Sequence, residues 1–265
     1  MPQPPIVLAF AGNDPSGGAG LCADIQALAS VGCHAAPVVT CITTQDTRKV
    51  FESIPLAGAK VAAQAEAVLA DLPIAACKIG LLGTIEIVEA VQQVLLKYPG
   101  IPVILDPVLA AGSGQSLTQR DIGDAIIKKL LPITQIITPN SSEVRILTNM
   151  TQSLDTAAAQ LMDYGCQYVC ITGTHEDTPN VVNTLYGQGQ QLQSWSWRRL
   201  ESSYHGSGCT FAACLAGLLA QNQDMIAAVY EAQYYTWTTL QRGYQPGRGQ
   251  ALPNRLFKHF LNTSC

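Results

Sequence analysis

Apolar residues fall along this chain in short continuous runs separated by segments of helical period, a rhythm that predicts a parallel sheet covered by helices. Ile6 to Ala11 reads IVLAFA, apolar on both strand faces and so a buried strand. After a loop from Gly12 to Gly20, Leu21 to Val31 repeats its apolar positions at helical spacing and stops at Gly32. Ala35 to Ile42 is a second strand, rich in β-branched residues, that ends in Thr43-Thr44-Gln45-Asp46-Thr47. The same rhythm predicts helices over Lys60 to Leu69, Ile85 to Lys97 and Ile122 to Leu130. It predicts strands over Ile74 to Ile79, Val103 to Leu105, Gln135 to Thr138 and Tyr168 to Thr172. Short helices follow Ser141 and Leu154, and two longer ones cover Thr210 to Gln221 and Met225 to Gln241. Val181 to Trp197 breaks the period, and its alternation around Gly187-Gln188-Gly189 predicts an antiparallel hairpin at a sheet edge. With no linker, repeat or low-complexity stretch, residues 1–265 read as a single domain.

Composition narrows the function. The 265 residues are 48% hydrophobic and 13% charged, enough to fill a large core. A net charge of −4 without any Lys or Arg run gives no footprint for nucleic acid or an anionic membrane. No apolar run approaches the ~20 residues of a membrane span, and the start lacks a basic signal region, so a cytoplasmic protein is expected. Nine cysteines, an odd number mostly within apolar segments, suit reduced thiols. Cys166 and Cys170, four apart on an apparent strand, should share a face and act as structural thiols.

Polar or glycine-bearing residues repeatedly follow the strands, at Gly12, Gln45, Gly80, Asp106, Asn140 and Gly173, and ligands of open α/β sheets sit at those ends. Tyr204-His205-Gly206-Ser207-Gly208-Cys209-Thr210 is a glycine loop running into an apolar helix, where unpaired N–H groups and the positive helix end favour an anion. The same helix end should loosen the proton of Cys209. No Walker loop is present. Gly18-Ala19-Gly20-Leu21-Cys22-Ala23 fits a dinucleotide fingerprint, but Asn13-Asp14-Pro15-Ser16 separate it from the strand and count against a dehydrogenase.

Six ordered motifs are more specific than any single loop: AGNDPSGGAGLCADI at the start, KIGLLG from Lys78, DPVLAAGSG from Asp106, TPNSSE from Thr138, ITGTH from Ile171 and HGSGCT from His205. On these the chain resembles, over nearly its whole length, the hydroxymethylpyrimidine and phosphomethylpyrimidine kinases of thiamin biosynthesis, members of the ribokinase-like superfamily. The resemblance implies a three-layer αβα domain, mostly parallel with an antiparallel edge hairpin, that moves the γ-phosphoryl of Mg-ATP to an aminopyrimidine alcohol and then to its monophosphate. It further implies a homodimer.

The resemblance also implies roles. Gly206, Ser207, Gly208 and Cys209 would form the anion hole, with Cys209 where related enzymes carry an aspartate base. Gln45, Asp24, Gly12, Val108 and Leu81 would meet the pyrimidine. Asn140, Thr172, Gly173, His205 and Thr210 would meet ATP, and Asp106 and Glu143 would hold Mg2+. Asn140 and Glu143 also read as the cap and first-turn acid of a helix.

The chain departs from the family pattern in places. Thr172-Gly173-Thr174-His175 stands for the usual KGGH, and Ala111-Gly112-Ser113-Gly114-Gln115 for AKSGD, so two lysines are absent and the overall acidity offers no obvious replacement. Weaker ATP binding, or more reliance on metal, is the expectation. Leu81 replaces a methionine, a mild change. Pyridoxal phosphorylation on the same scaffold and a catalytically weakened binding protein stay open as alternatives; Gln45 and DPSGGAG lean toward pyrimidine, and the retained Cys209, Asp106 and Glu143 toward catalysis.

Overall fold

Ile6–Asn13 (β1) is buried at every residue but Asn13, as its unbroken apolar run requires. In the computed structural model, which describes residues 3–109, 121–149 and 153–260, β1 pairs in parallel with His34–Gln45 (β2) on one side and Ile74–Ile79 (β4) on the other. Beyond β4 the parallel pairing continues through Val103–Leu105 (β5), Ile136–Ile137 (β6) and Tyr168–Thr172 (β7). Asn180–Gly187 (β8) and Gln190–Arg198 (β9) then add as an antiparallel hairpin edge. At the other edge Val50–Pro55 (β3) pairs antiparallel with β2, and the strand order is β3-β2-β1-β4-β5-β6-β7-β8-β9.

Two helical layers follow from the pleat, because alternate strand residues face opposite sides. Leu8 and Phe10 pack with Val61 and Leu69 of Gly58–Asp71 (α2), Val88 and Val91 of Ile85–Leu95 (α3), Val144 of Ser141–Thr148 (α5) and Leu161 of Leu154–Asp163 (α6). Val7 packs on the opposite side with Leu28 of Gly20–Ser30 (α1), Leu215 of Ser207–Ala220 (α7) and Val229 of Met225–Gln241 (α8). The sheet is therefore covered on both faces, in the three layers expected.

Several expectations need correction. The strand β3 escaped the sequence reading because VFESIP carries an exposed Glu52, a proline and exposed Phe51 and Ile54, so neither a buried run nor a clean alternation marks it. The helix expected over Ile122 to Leu130 is α-helical only at Ile122–Ala125 (α4) and widens to a π-helical turn at Ile126–Leu130. The helix α7 starts at Ser207 rather than Thr210, since Gly206 takes the left-handed turn (φ 82°) and the next two residues are already helical. Cys166 and Cys170 do not share a face: Cys166 precedes β7 and packs with the α2–α6 layer, whereas Cys170 packs with the α7–α8 layer. All eight cysteines among the described residues are free.

Because the chain leaves β1 toward β2 and returns on its other side at β4, the strand order reverses there, and a crevice opens at the carboxyl ends. The N-terminus of α7 points into that crevice from between its neighbours α1 and α8.

Candidate active site

The N–H groups of Ser207, Gly208 and Cys209 precede the first backbone bond of α7, from Thr210 N–H to Gly206 O at 3.0 Å, so the helix leaves them for a ligand. Gly206 is required there: its φ is left-handed and a Cβ would run into the carbonyl of Gly18.

The facing loop is held by Asp14. Its Oδ1 accepts from Ser16 N–H at 2.8 Å and the Ser16 hydroxyl at 2.7 Å, and its Oδ2 accepts from Ala19 N–H at 2.8 Å. His205 Nε2 lies 2.9 Å from the same Oδ2 and 3.3 Å from the Gln45 amide nitrogen. Burial pulls the Asp14 carboxyl up, but the hydrogen bonds from His205 and Ser16 outweigh it and hold it below the ordinary carboxylate range.

Behind both loops sits Arg255, 2% exposed. Its Nε donates to Thr210 Oγ1 at 2.8 Å, Nη1 to Gln26 Oε1 at 3.3 Å, and Nη2 to the carbonyls of Gly18 and Gly206. The C-terminal tail that carries it showed no motif; only the structure reveals its part.

A second buried cluster forms the floor. Lys78 Nζ, fully buried at the end of β4, lies 3.0 Å from Asp24 Oδ1 and 3.8 Å from Asp106 Oδ2. Burial opposes the Lys78 charge, yet Asp24, Cys209 and Asp106 outweigh it and raise its pKa. Burial also raises Asp24 against the pull of Lys78. Asp106 is pushed up to about 6 by burial, with Lys78 opposing and Asp24 adding. Lys78 was passed over in the sequence, although a lysine inside the apolar strand IAACKI signals a buried partner.

Cys209 donates its S–H toward Asp106 and accepts from Gly20 N–H, and burial pushes its thiol up to about 12 with the Asp106 and Asp24 charges adding. The expectation of a loosened proton is thus reversed: enclosure and two carboxylates outweigh the helix end and Lys78. Glu143 is pushed up to about 8, first by burial and then by the Asp106 charge, while N–H groups of Asn140 and Leu109 oppose.

A cavity of about 440 Å3 joins these groups. Gly12, Gln45, Leu81, Asp106, Val108, Asn140, Glu143, Thr172, His205, Gly206, Ser207, Gly208 and Cys209 line it. Asp24, Gly173 and Thr210 do not. Asp24 is neither a solvated carboxylate nor a lining residue but the partner of Lys78, 0% exposed. Gly173 gives its N–H to Asn183 Oδ1 at 3.1 Å, and a Cβ there would strike the carbonyl of Val182. The Thr210 hydroxyl donates to Gly206 O at 2.7 Å and receives Arg255, so it shapes the loop from behind. Residues 111–115 lie outside the described residues. A larger recess of about 650 Å3 at the amino ends of β5 and β6 lies at the opposite end of the sheet.

Cations at the cavity are better provided than the sequence implied. Arg198 and Arg199 both line it. Arg199 is spent on the carbonyls of Thr174 at 2.8 Å, Glu176 at 2.8 Å and Thr178 at 3.1 Å, whereas the Arg198 guanidinium has no partner among the described residues.

The acids fit a hard divalent ion. Asp106 Oδ2 is buried without a hydrogen-bond donor, and Glu143 is destabilised by the Asp106 charge, so a cation between them would relieve both. Asn140 Oδ1 caps α5 by accepting from the N–H groups of Ser142 and Glu143 at 2.9 Å, and Glu143 Oε2 accepts from Asn140 N–H at 2.9 Å, the cap and first-turn acid expected from the sequence. No cluster of three or more His, Cys, Asp or Glu able to hold a metal stands among the described residues.

Both acids have folded pKa values above their unfolded ones, so the folded state binds the extra protons and its stability falls as pH rises from about 4 to about 8. Calorimetry without divalent ions should therefore show Glu143→Gln losing less Tm than the native chain between roughly pH 5 and pH 8. Millimolar Mg2+ should raise the native Tm more at the upper pH; equal pH profiles for the two proteins, with no Mg2+ effect, would refute the paired-acid site.

Residues 14–254 match the family described as Phosphomethylpyrimidine kinase. The chain is 35% identical to the hydroxymethylpyrimidine/phosphomethylpyrimidine kinase of Haemophilus influenzae, covering 94% of this chain and 95% of that one. Among solved structures it is similar to the pyridoxal kinase from Staphylococcus aureus in complex with AMP-PCP and pyridoxal, at 28% identity and TM-score 0.85 over 95% of this chain and 94% of that one. It is likewise similar to the phosphomethylpyrimidine kinase from Clostridium difficile, at 29% identity and TM-score 0.78 over 89% of this chain and 99% of that one. With a family match and a relative of this identity each covering most of its length, the chain belongs to the phosphomethylpyrimidine kinase family.

Proposed function

We propose that the chain transfers the γ-phosphoryl of ATP to 4-amino-5-hydroxymethyl-2-methylpyrimidine and then to its monophosphate, giving the diphosphate used in thiamin biosynthesis. The observation that carries this reading is the α7 N-terminus, whose three free N–H groups open into one cavity shared by Gln45 and by the acids Asp106 and Glu143. Phosphoryl transfer asks a protein chiefly for position and charge neutralisation, and this arrangement supplies both.

Gln45 offers donor and acceptor to the aminopyrimidine, and Gly12, Leu81 and Val108 wall its ring. Ser207, Gly208 and Cys209 N–H groups hold the transferring phosphoryl. Asn140, Thr172 and His205 line the nucleotide's path, and the unpaired Arg198 supplies the positive charge that the missing lysines would have given. Asp106 and Glu143 hold Mg2+, which spreads the negative charge of the phosphates when bound. Neutralising Asp106 would remove one of the charges that raise the Cys209 pKa, so that more of the group would stand as thiolate, the form able to accept the alcohol proton. The enzyme works in this reading as a cytoplasmic homodimer, with the β9 edge available to a second copy. The described helices include none long and apolar enough to cross a membrane.

The pyridoxal kinase neighbour favours one second reading, pyridoxal as the alcohol. Mass spectrometry after incubation with Mg-ATP and hydroxymethylpyrimidine, its monophosphate or pyridoxal separates the two. Mono- and diphosphorylated pyrimidine are expected, with Cys209→Ala slower by about 10²-fold; phosphopyridoxal alone would move the assignment, and no product would reject both. Arg198→Ala should raise KM for ATP about tenfold with little change in KM for the alcohol, and an unaltered ATP KM would remove Arg198 from the site.

A further inference from the structure

A chain of hydrogen bonds at the β8–β9 end of the cavity leaves one donor without a partner. Gly173 N–H donates to Asn183 Oδ1 at 3.1 Å, Asn183 Nδ2 donates to Gln233 Oε1 at 2.9 Å, and Trp197 Nε1 donates to the same oxygen at 2.7 Å. A backbone N–H and an indole N–H can only donate, so the orientation of both amides follows by necessity. Gln233 Nε2 is therefore a donor, and it has no partner although the residue is only 3% exposed and lines the cavity. Burying such a group unpaired is costly, which points to a ligand acceptor.

The surroundings state what kind of ligand. Trp237 spends its Nε1 on the carbonyl of Arg198 at 3.0 Å, and Thr236 spends its hydroxyl on the carbonyl of Ala232 at 2.7 Å. Trp197 and Trp237 pack with centroids 6.2 Å apart, and Val181 and Leu240 line the cavity with them. The indole donors are already used, so these side chains offer a ligand π faces and aliphatic surface. A flat heteroaromatic ring with an acceptor nitrogen suits that lining.

The aminopyrimidine held at Gln45 cannot also be that ring. Gln45 ends β2 and Asn183 lies on β8, six strand spacings away, roughly 29 Å before twist. The α7 N-terminus lies between them, because α7 packs against α1 on one side and α8 on the other. A ligand whose phosphates reach that terminus from the β8 side is a nucleotide.

We infer that Gln233 reads the purine base of the phosphoryl donor, donating from Nε2 to a ring nitrogen while Asn183 and Trp197 hold the amide in that orientation. This rests on the kinase reading for the aminopyrimidine at Gln45, for the phosphates at the α7 N-terminus and for naming the nucleotide as ATP.

All three tryptophans of the chain, Trp195, Trp197 and Trp237, belong to β9 or α8, so their fluorescence reports binding without any turnover. Titrations would use ATP and its 1-deaza, 3-deaza and 7-deaza analogues on the native chain and on Gln233→Glu. That variant keeps the acceptor for Asn183 and Trp197 and replaces the donor by an oxygen. One analogue is expected to bind the native chain about tenfold more weakly than ATP. The variant should lose a similar factor for ATP and no longer distinguish that analogue, while KM for the alcohol is unchanged. Three analogues that bind the native chain as ATP does would overturn the inference, whatever the variant does. If the expected pattern holds and no pyrimidine is phosphorylated, the kinase reading fails and the base contact stands. If pyrimidine is phosphorylated and no analogue loses affinity, only the base contact fails.

Discussion

The guanidinium of Arg255, buried and without a carboxylate partner among the described residues, joins three segments far apart in sequence: its own C-terminal stretch, the loop at Gly17 and Gly18, and the start of α7 at Gly206 and Thr210. Its own carbonyl is fixed in turn by the hydroxyls of Ser30 at 2.7 Å and Tyr235 at 2.9 Å. The carbonyls of Gly17, Gly18 and Gly206 converge on one planar fork, which a lysine could not match. Burial pulls the Arg255 pKa down, yet the group stays a cation behind the free N–H groups of the anion hole. The shape of the two glycine loops depends on this residue, which also places a positive charge behind them.

The floor of the site is arranged on the opposite principle. Lys78 is shared by Asp24 and Asp106, and removing it would strand two buried carboxylates, at a cost of about 3–5 kcal/mol. One lysine cannot neutralise Asp24, Asp106 and Glu143 together, and burial first, with the unneutralised charge adding, raises the pKa values of the two acids that face the cavity. A site so built suits a divalent ion, whose charge would ease the ionisation of Cys209.

Much of this was legible beforehand, and for a physical reason. Strands buried on both faces leave unbroken apolar runs, so β1, β4, β5 and β7 stood out, and the residues at their ends supplied the loops that line the cavity. Side chains that act from behind the wall left weaker marks. Asp24 carried a motif position but no sign that its carboxylate turns inward to Lys78, and Arg255 lay in a tail without periodicity. The reach of Gln233 depends on a three-residue relay between β8, β9 and α8, which no local pattern encodes. The Cys209 proton was misjudged because a helix terminus is visible in sequence and the enclosing carboxylates are not.

The most direct test of the account is calorimetric binding of ADP alone and of ADP with Mg2+ and aluminium fluoride, a mimic of the transferring phosphoryl, to the native chain and to Arg255→Lys. If Arg255 shapes and charges the anion hole, the gain in Kd that fluoride brings should fall about tenfold in the variant, with ADP alone bound as before. An undiminished gain in a variant of lower Tm would mean that Arg255 only holds the fold together.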